Sequence, residues 1–207
     1  MTLVFGLMVV MGLALTAHHW VSERRKLLQL ATYGFPDHLQ KRLQATYPHL
    51  TPEECAKVLD GLRQFFAISI LAGGRRIAMP SQAVDEAWHE FILSTRAYQA
   101  FCQRVLGRFL HHTPAEAMLS PRYAQQGIRL AWRLACGRER IDPKRPARLP
   151  LLFAIDGALR IPGGYTYALN CGLGGDRYCA GSIGCSSGCG GGGCSGDGGC
   201  GGGCGGD

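Results

Sequence analysis

A mostly α-helical protein is the fold class this sequence predicts, with an N-terminal transmembrane helix, a small helical domain followed by a β-hairpin, and a disordered tail rich in glycine and cysteine. Three observations predict it. Residues Thr2 to Val21 carry no charged side chain. Between residue 22 and about residue 140, capping signals recur beside apolar residues at helical spacing. The 37 residues from Cys171 to Asp207 hold 18 of the 30 glycines and 7 of the 10 cysteines. A length of 207 residues suits one folded domain with attachments. With 46% hydrophobic and 18% charged residues the chain can bury a core, which excludes a wholly disordered protein. The expected organisation is a transmembrane anchor at 1–21, a helical domain at 22–148, a hairpin and linker at 149–170 and a low-complexity tail at 171–207.

The opening stretch is long enough to cross about 30 Å of hydrocarbon at about 1.5 Å per residue. Trp20, His18 and His19 suit the head-group layer. A cleaved signal peptide would want basic residues ahead of the apolar run and a small-x-small site. Here the basic cluster, Arg24, Arg25 and Lys26, follows the run instead. That order predicts an uncleaved single-pass anchor with the C-terminal domain in the cytoplasm. Cytoplasmic thiols stay reduced, so clustered cysteines there point to metal binding before disulfides.

The helices follow in order. One is expected from Ser22 to Thr32, broken by Gly34-Phe35-Pro36, and a short one from Asp37 to Ala45. Thr51-Pro52-Glu53-Glu54 combines an N-cap, a first-turn proline and a capping-box glutamate. Behind it Cys55, Val58, Leu59, Leu62, Phe65 and Phe66 recur at helical spacing until Gly73-Gly74. Ser81 starts the next helix, with Val84, Ala87, Trp88, Phe91 and Ile92 as its buried stripe. Thr95 opens another that runs to Val105 and closes at Gly107, Thr113-Pro114-Ala115-Glu116 repeats the capping pattern, and Pro121 opens a last helix to Cys136-Gly137. Leu151 to Ile155 and Ala158 to Ile161 flank Asp156-Gly157, which reads as a hairpin.

One segment reads as a site. Asp85 and His89 are four apart and share a helix face, where the carboxylate can orient the imidazole. Tyr98 and Cys102 are also four apart, and His111-His112 follow the glycine at 107. A hairpin of helices would gather His89, Cys102 and His111 or His112 into a nitrogen and sulfur ligand set for zinc or another thiophilic metal, with Asp85, Trp88 and Tyr98 around it. The plainer alternative is a packed Trp-His pair whose histidine is satisfied by the carboxylate, with Cys102 as a small buried hydrophobe. The chain contains no HExxH and no paired CxxC.

The run Val84-Asp85-Glu86-Ala87-Trp88-His89-Glu90-Phe91-Ile92-Leu93, with Tyr98, Phe101-Cys102, Gly107 and His111-His112-Thr113-Pro114, resembles the glycine-rich domain-containing protein-like family. Its members share an Asp-x-x-Trp-His helix, a downstream Tyr and Cys and a further His. The resemblance covers about 80 to 114 and implies a helical fold without a defined reaction. Longer plant members linked to RNA binding or signalling contain regions this chain lacks.

Two further segments suggest partners. Arg122, Arg129 and Arg133 lie seven and four apart on one helix face, suited to anionic lipid head groups. Tyr123 and Trp132 fall at core spacing there, which speaks against stacked nucleic acid. In the tail, Cys185, Cys189, Cys194, Cys200 and Cys204 can share a soft ion, while glycine-rich ends also serve as tethers or self-association segments. The reading that results is a membrane-anchored accessory or binding protein. The competing class is a metal- or thiol-dependent enzyme built on Asp85, His89, Cys102 and His112.

Overall fold

A computed structural model of the chain describes residues 2–112, 121–169, 178–180 and 183. Helix α1 (Thr2–Ala31) joins the expected anchor and the expected first domain helix into one uninterrupted rod. It is long and apolar enough to cross a membrane, and the apolar window within it is entirely unburied by the rest of the protein. Its last turns behave differently: Leu30 is buried and Leu27 packs partly against the core. The C-terminal carbonyls of α1 are taken up by Arg63, whose Nη1 donates to Leu30 O at 2.5 Å and Tyr33 O at 2.8 Å. A guanidinium there satisfies orphan carbonyls and opposes the negative helix end. The same group sits 5.0 Å above the Phe35 ring, so one side chain fixes both the helix end and the turn after it.

Helix α2 (His38–Thr46) buries Leu39 and Leu43 on α3 (Pro52–Leu71). The capping box is complete: Glu54 N donates to Thr51 Oγ1 at 3.2 Å and Thr51 N donates to Glu54 Oε2 at 2.9 Å. Helix α3 is the central element, with Val58, Leu62, Phe65, Phe66 and Ile68 buried, and Gly73 and Gly74 end it in left-handed conformations. Helix α4 (Gln82–Leu93) is capped by Ser81, whose Oγ accepts from Val84 N. It crosses α3 closely at Gly61, where an added Cβ would lie 2.7 Å from Val84 Cγ2. Helix α5 (Thr95–Phe101) continues directly into a π-helical turn, Cys102–Leu106, closed by Gly107 at φ +72°. The extra backbone width of such a turn is a local deviation that helical periodicity does not announce.

The core is strongly aromatic. Phe66 lies 4.7 Å from Phe101 and 6.0 Å from Trp88 between ring centroids, and Phe91 lies 5.3 Å from Tyr98. Helix α6 (Pro121–Arg138) adds Trp132, whose indole donates to Pro143 O at 3.0 Å and meets Phe153 edge-on at 5.0 Å.

The expected hairpin at 151–161 is wrong. Leu151–Ala158 form a helix, α7, with Leu152, Phe153 and Ile155 buried in the same core. Asp156 does not turn a hairpin; it is buried at 3% exposure and caps a distant helix. Its Oδ1 accepts from Ser81 Oγ (2.6 Å) and Ala83 N (3.2 Å), and its Oδ2 from Gln82 N (2.7 Å) and Tyr165 N (2.9 Å). A carboxylate at a helix N-terminus is favoured by the orphan N–H groups and the helix dipole, and here it locks α7 to α4. The only strands among the described residues are β1 (Tyr167–Ala168) and β2 (Tyr178–Cys179), a short parallel pair with Tyr167 opposite Tyr178.

Candidate metal centre

Asp85 and His89 stand one turn apart on the half-buried edge of α4, as their spacing predicts. The third group arrives from the segment beyond the π-helical turn. Tyr98 controls that arrival: its hydroxyl accepts from Trp88 Nε1 at 3.1 Å and donates to Leu110 O at 2.5 Å. With Leu110 held against α4, His112 reaches back over Trp88 in an edge-on contact, 4.7 Å between ring centroids. Its Nε2 lies 2.9 Å from Asp85 Oδ1, and its ring centre is 4.1 Å from that of His89. His89 Nδ1 is 3.8 Å from Asp85 Oδ2.

One ligand atom from each of Asp85, His89 and His112 therefore lies within 4.8 Å of the others. A tetrahedral ion with bonds near 2.0–2.1 Å needs donor atoms about 3.4 Å apart. The difference is at most about 1.4 Å, within the reach of the His89 side chain, which is 45% exposed. His112 is the constrained member at 11% exposure, so the set joins two fixed groups to one adaptable group. The donors are one oxygen and two nitrogens, and the open side of the cluster faces solvent through His89.

Two residues of the expected ligand set stand elsewhere. Cys102 is fully buried in the π-helical turn, and burial pushes its thiol above the usual range, only partly offset by contacts with the Leu110 backbone and the Tyr98 hydroxyl. It packs behind Tyr98 and does not join the Asp85, His89 and His112 cluster. His111 is exposed, with its ring against Phe109 at 4.8 Å. The physical reason is the anchoring of Leu110 O by the Tyr98 hydroxyl, which brings His112 in against Trp88 and leaves His111 against Phe109. Asp85, expected as a supporting group, is itself a candidate ligand. Tyr98 and Trp88 keep the supporting role, orienting the segment that carries His112.

Of the basic face, Arg133 is exposed and Arg129 half-buried on α6, while the side chain of Arg122 lies outside the described residues. The tail thiols Cys185, Cys189, Cys194, Cys200 and Cys204 and the Thr113 capping pattern also lie outside them. Cys55, Cys102 and Cys136 are free thiols, and Cys179 is disulfide-bonded.

The chain belongs to the uncharacterised UCP032817-like family, which matches residues 23–186. No curated protein and no solved structure matches it. The matched stretch begins after the apolar span and contains Asp85, His89 and His112. It stops before Cys189, so the family match rests on the helical body rather than on the last four cysteines.

Proposed function

We propose that this protein is a membrane-anchored metal-binding module whose helical domain holds one divalent ion between Asp85, His89 and His112. The observation that carries this reading is the convergence of the three side chains from two separate segments, with donor atoms within 4.8 Å. A carboxylate with two imidazoles suits zinc or ferrous iron, and three protein ligands leave coordination positions for water or a small anion. Without an ion, His112 Nε2 donates its proton to Asp85. An ion on Nε2 requires the tautomer with the proton on Nδ1 and competes with protons for both imidazoles, so uptake strengthens as pH rises.

The open coordination side also supports a second reading, in which the bound ion acts as a Lewis acid on a small substrate. The same cluster would serve both, and the alternative with Cys102 as nucleophile has less support because a buried, raised thiol supplies little thiolate. The tail cysteines form a separate soft-ion store. The same tail suits self-association.

Helix α1 is read as a single-pass anchor. The basic cluster after the span favours a cytoplasmic domain, with Arg129 and Arg133 available to anionic lipid. The Cys179 disulfide pulls the other way, since such bonds persist in oxidising compartments. A C-terminal reporter fusion decides: activity on the cytoplasmic side supports the charge argument, and activity outside overturns it.

Elemental analysis of purified full-length protein tests the metal reading. The wild type is expected to carry one equivalent more zinc or iron than the His89→Ala/His112→Ala variant. Equal metal content in a variant that retains its helical circular dichroism would reduce the cluster to a hydrogen-bonded staple between α4 and the 109–112 segment.

A further inference from the structure

Where the apolar part of α1 ends, the helix turns a polar face toward the domain. His19, Ser22, Glu23 and Lys26 follow an i, i+3, i+4, i+7 pattern and line one side of a cleft of about 220 Å³. The opposite side comes from the end of α3, at Gly73 and Gly74, and from Arg108 beyond the π-helical turn. Lys26 is half-buried and lies across Gly107: a Cβ placed there would be 3.2 Å from its Nζ. Among the described residues neither Lys26 nor Arg108 forms an ion pair, whereas Glu23 is 3.7 Å from His19. Lys26 and Arg108 against Glu23 leave the cleft with one surplus positive charge when His19 is neutral.

Its depth matches that charge. Counted from Thr2, about 30 Å of helix at about 1.5 Å per residue ends near Val21. Ser22 to Lys26 occupy the next ~7 Å of rise, which is the thickness of one head-group layer. Trp20, with Arg24 stacked 5.0 Å from its ring, marks the same level.

We infer that this cleft binds the phosphodiester of a phospholipid head group from the leaflet in which α1 ends. One negative charge meets the one surplus positive charge of the cleft, and the chemistry is that of a phosphate held by lysine and arginine. The assignment rests on α1 as a membrane span and is independent of the metal centre.

The test uses full-length protein in mild detergent, with phosphatidylglycerol, diacylglycerol and inorganic phosphate as probes, read by native mass spectrometry. Wild type is expected to retain one phosphatidylglycerol and no diacylglycerol. Lys26→Gln/Arg108→Gln should weaken that retention at least tenfold, while Arg24→Gln/Arg25→Gln, which removes equal charge off the cleft-lining face, leaves it unchanged. Equal losses in the two double variants would overturn the cleft in favour of general attraction to charge. Displacement of the lipid by millimolar inorganic phosphate would overturn the lipid as its source. Vesicle flotation separates the two premises: protein that fails to float removes the span and the cleft with it, whereas floating protein without selective retention removes the cleft alone.

Discussion

Replacing Asp156 by alanine probes the joint on which the site is built. The carboxylate is buried and accepts from four donors, three of them on Ser81, Gln82 and Ala83 at the start of α4. Hydrogen bonds to a charged group contribute about 1.5–3 kcal/mol each, and they are not additive when they share one acceptor. Leaving a buried neutral donor unsatisfied costs about 1–3 kcal/mol, and with several donors sharing that cost a loss of about 4 kcal/mol is expected for Asp156→Ala. For a domain of this size that lowers the melting temperature by about 10 °C. Asp156→Asn should cost roughly half as much. Its amide nitrogen can take the Oδ1 position, where Ser81 can reverse its hydroxyl and only the longer Ala83 contact goes unsatisfied. Urea unfolding followed by helical circular dichroism measures both variants. A loss below about 1 kcal/mol for Asp156→Ala would refute the claim that this residue fastens α7 to α4.

Tyr98→Phe removes the acceptor of the Trp88 indole and the donor to Leu110, costing about 1–3 kcal/mol. It also frees the segment bearing His112, so calorimetry should show metal affinity falling with no change in stoichiometry; unchanged affinity would remove Tyr98 as a positioning residue. Gly61→Val should destabilise by about 1–3 kcal/mol in denaturant titration, because its Cβ would press on Val84. Burial pushes the Cys136 thiol up to about 11. A raised folded value means the native state keeps its proton after the unfolded thiol, near about 8.5, has lost its own. The stability contributed by this group is thus complete below about pH 8.5 and lost as pH climbs to 11, and Cys136→Ala should flatten that alkaline decline in pH-dependent unfolding curves.

Locally encoded features were legible in the sequence. Thr51, Pro52 and Glu54 form their cap from residues within one turn, and Ser81 caps α4 in the same way. The α4 stripe and the shared face of Asp85 and His89 needed only helical spacing. What failed was non-local. Asp156-Gly157 carries a strong turn signal, but Asp156 is claimed by Ser81, 75 residues away, and short apolar runs read equally as strand or helix. The choice of His112 over His111 depends on how Tyr98 pins Leu110, which no spacing rule contains. Cys102 sat at a plausible ligand interval, yet the π-helical turn places it inside the core.

The pair His111 and His112 offers the most direct measurement of the metal claim. Full-length protein with its accessible thiols alkylated is titrated with zinc in a calorimeter, as wild type, His111→Ala and His112→Ala. One bound ion in the first two and none in the third is the expected result. Equal binding by all three proteins, or loss with His111→Ala in place of His112→Ala, would contradict the assignment of Asp85, His89 and His112.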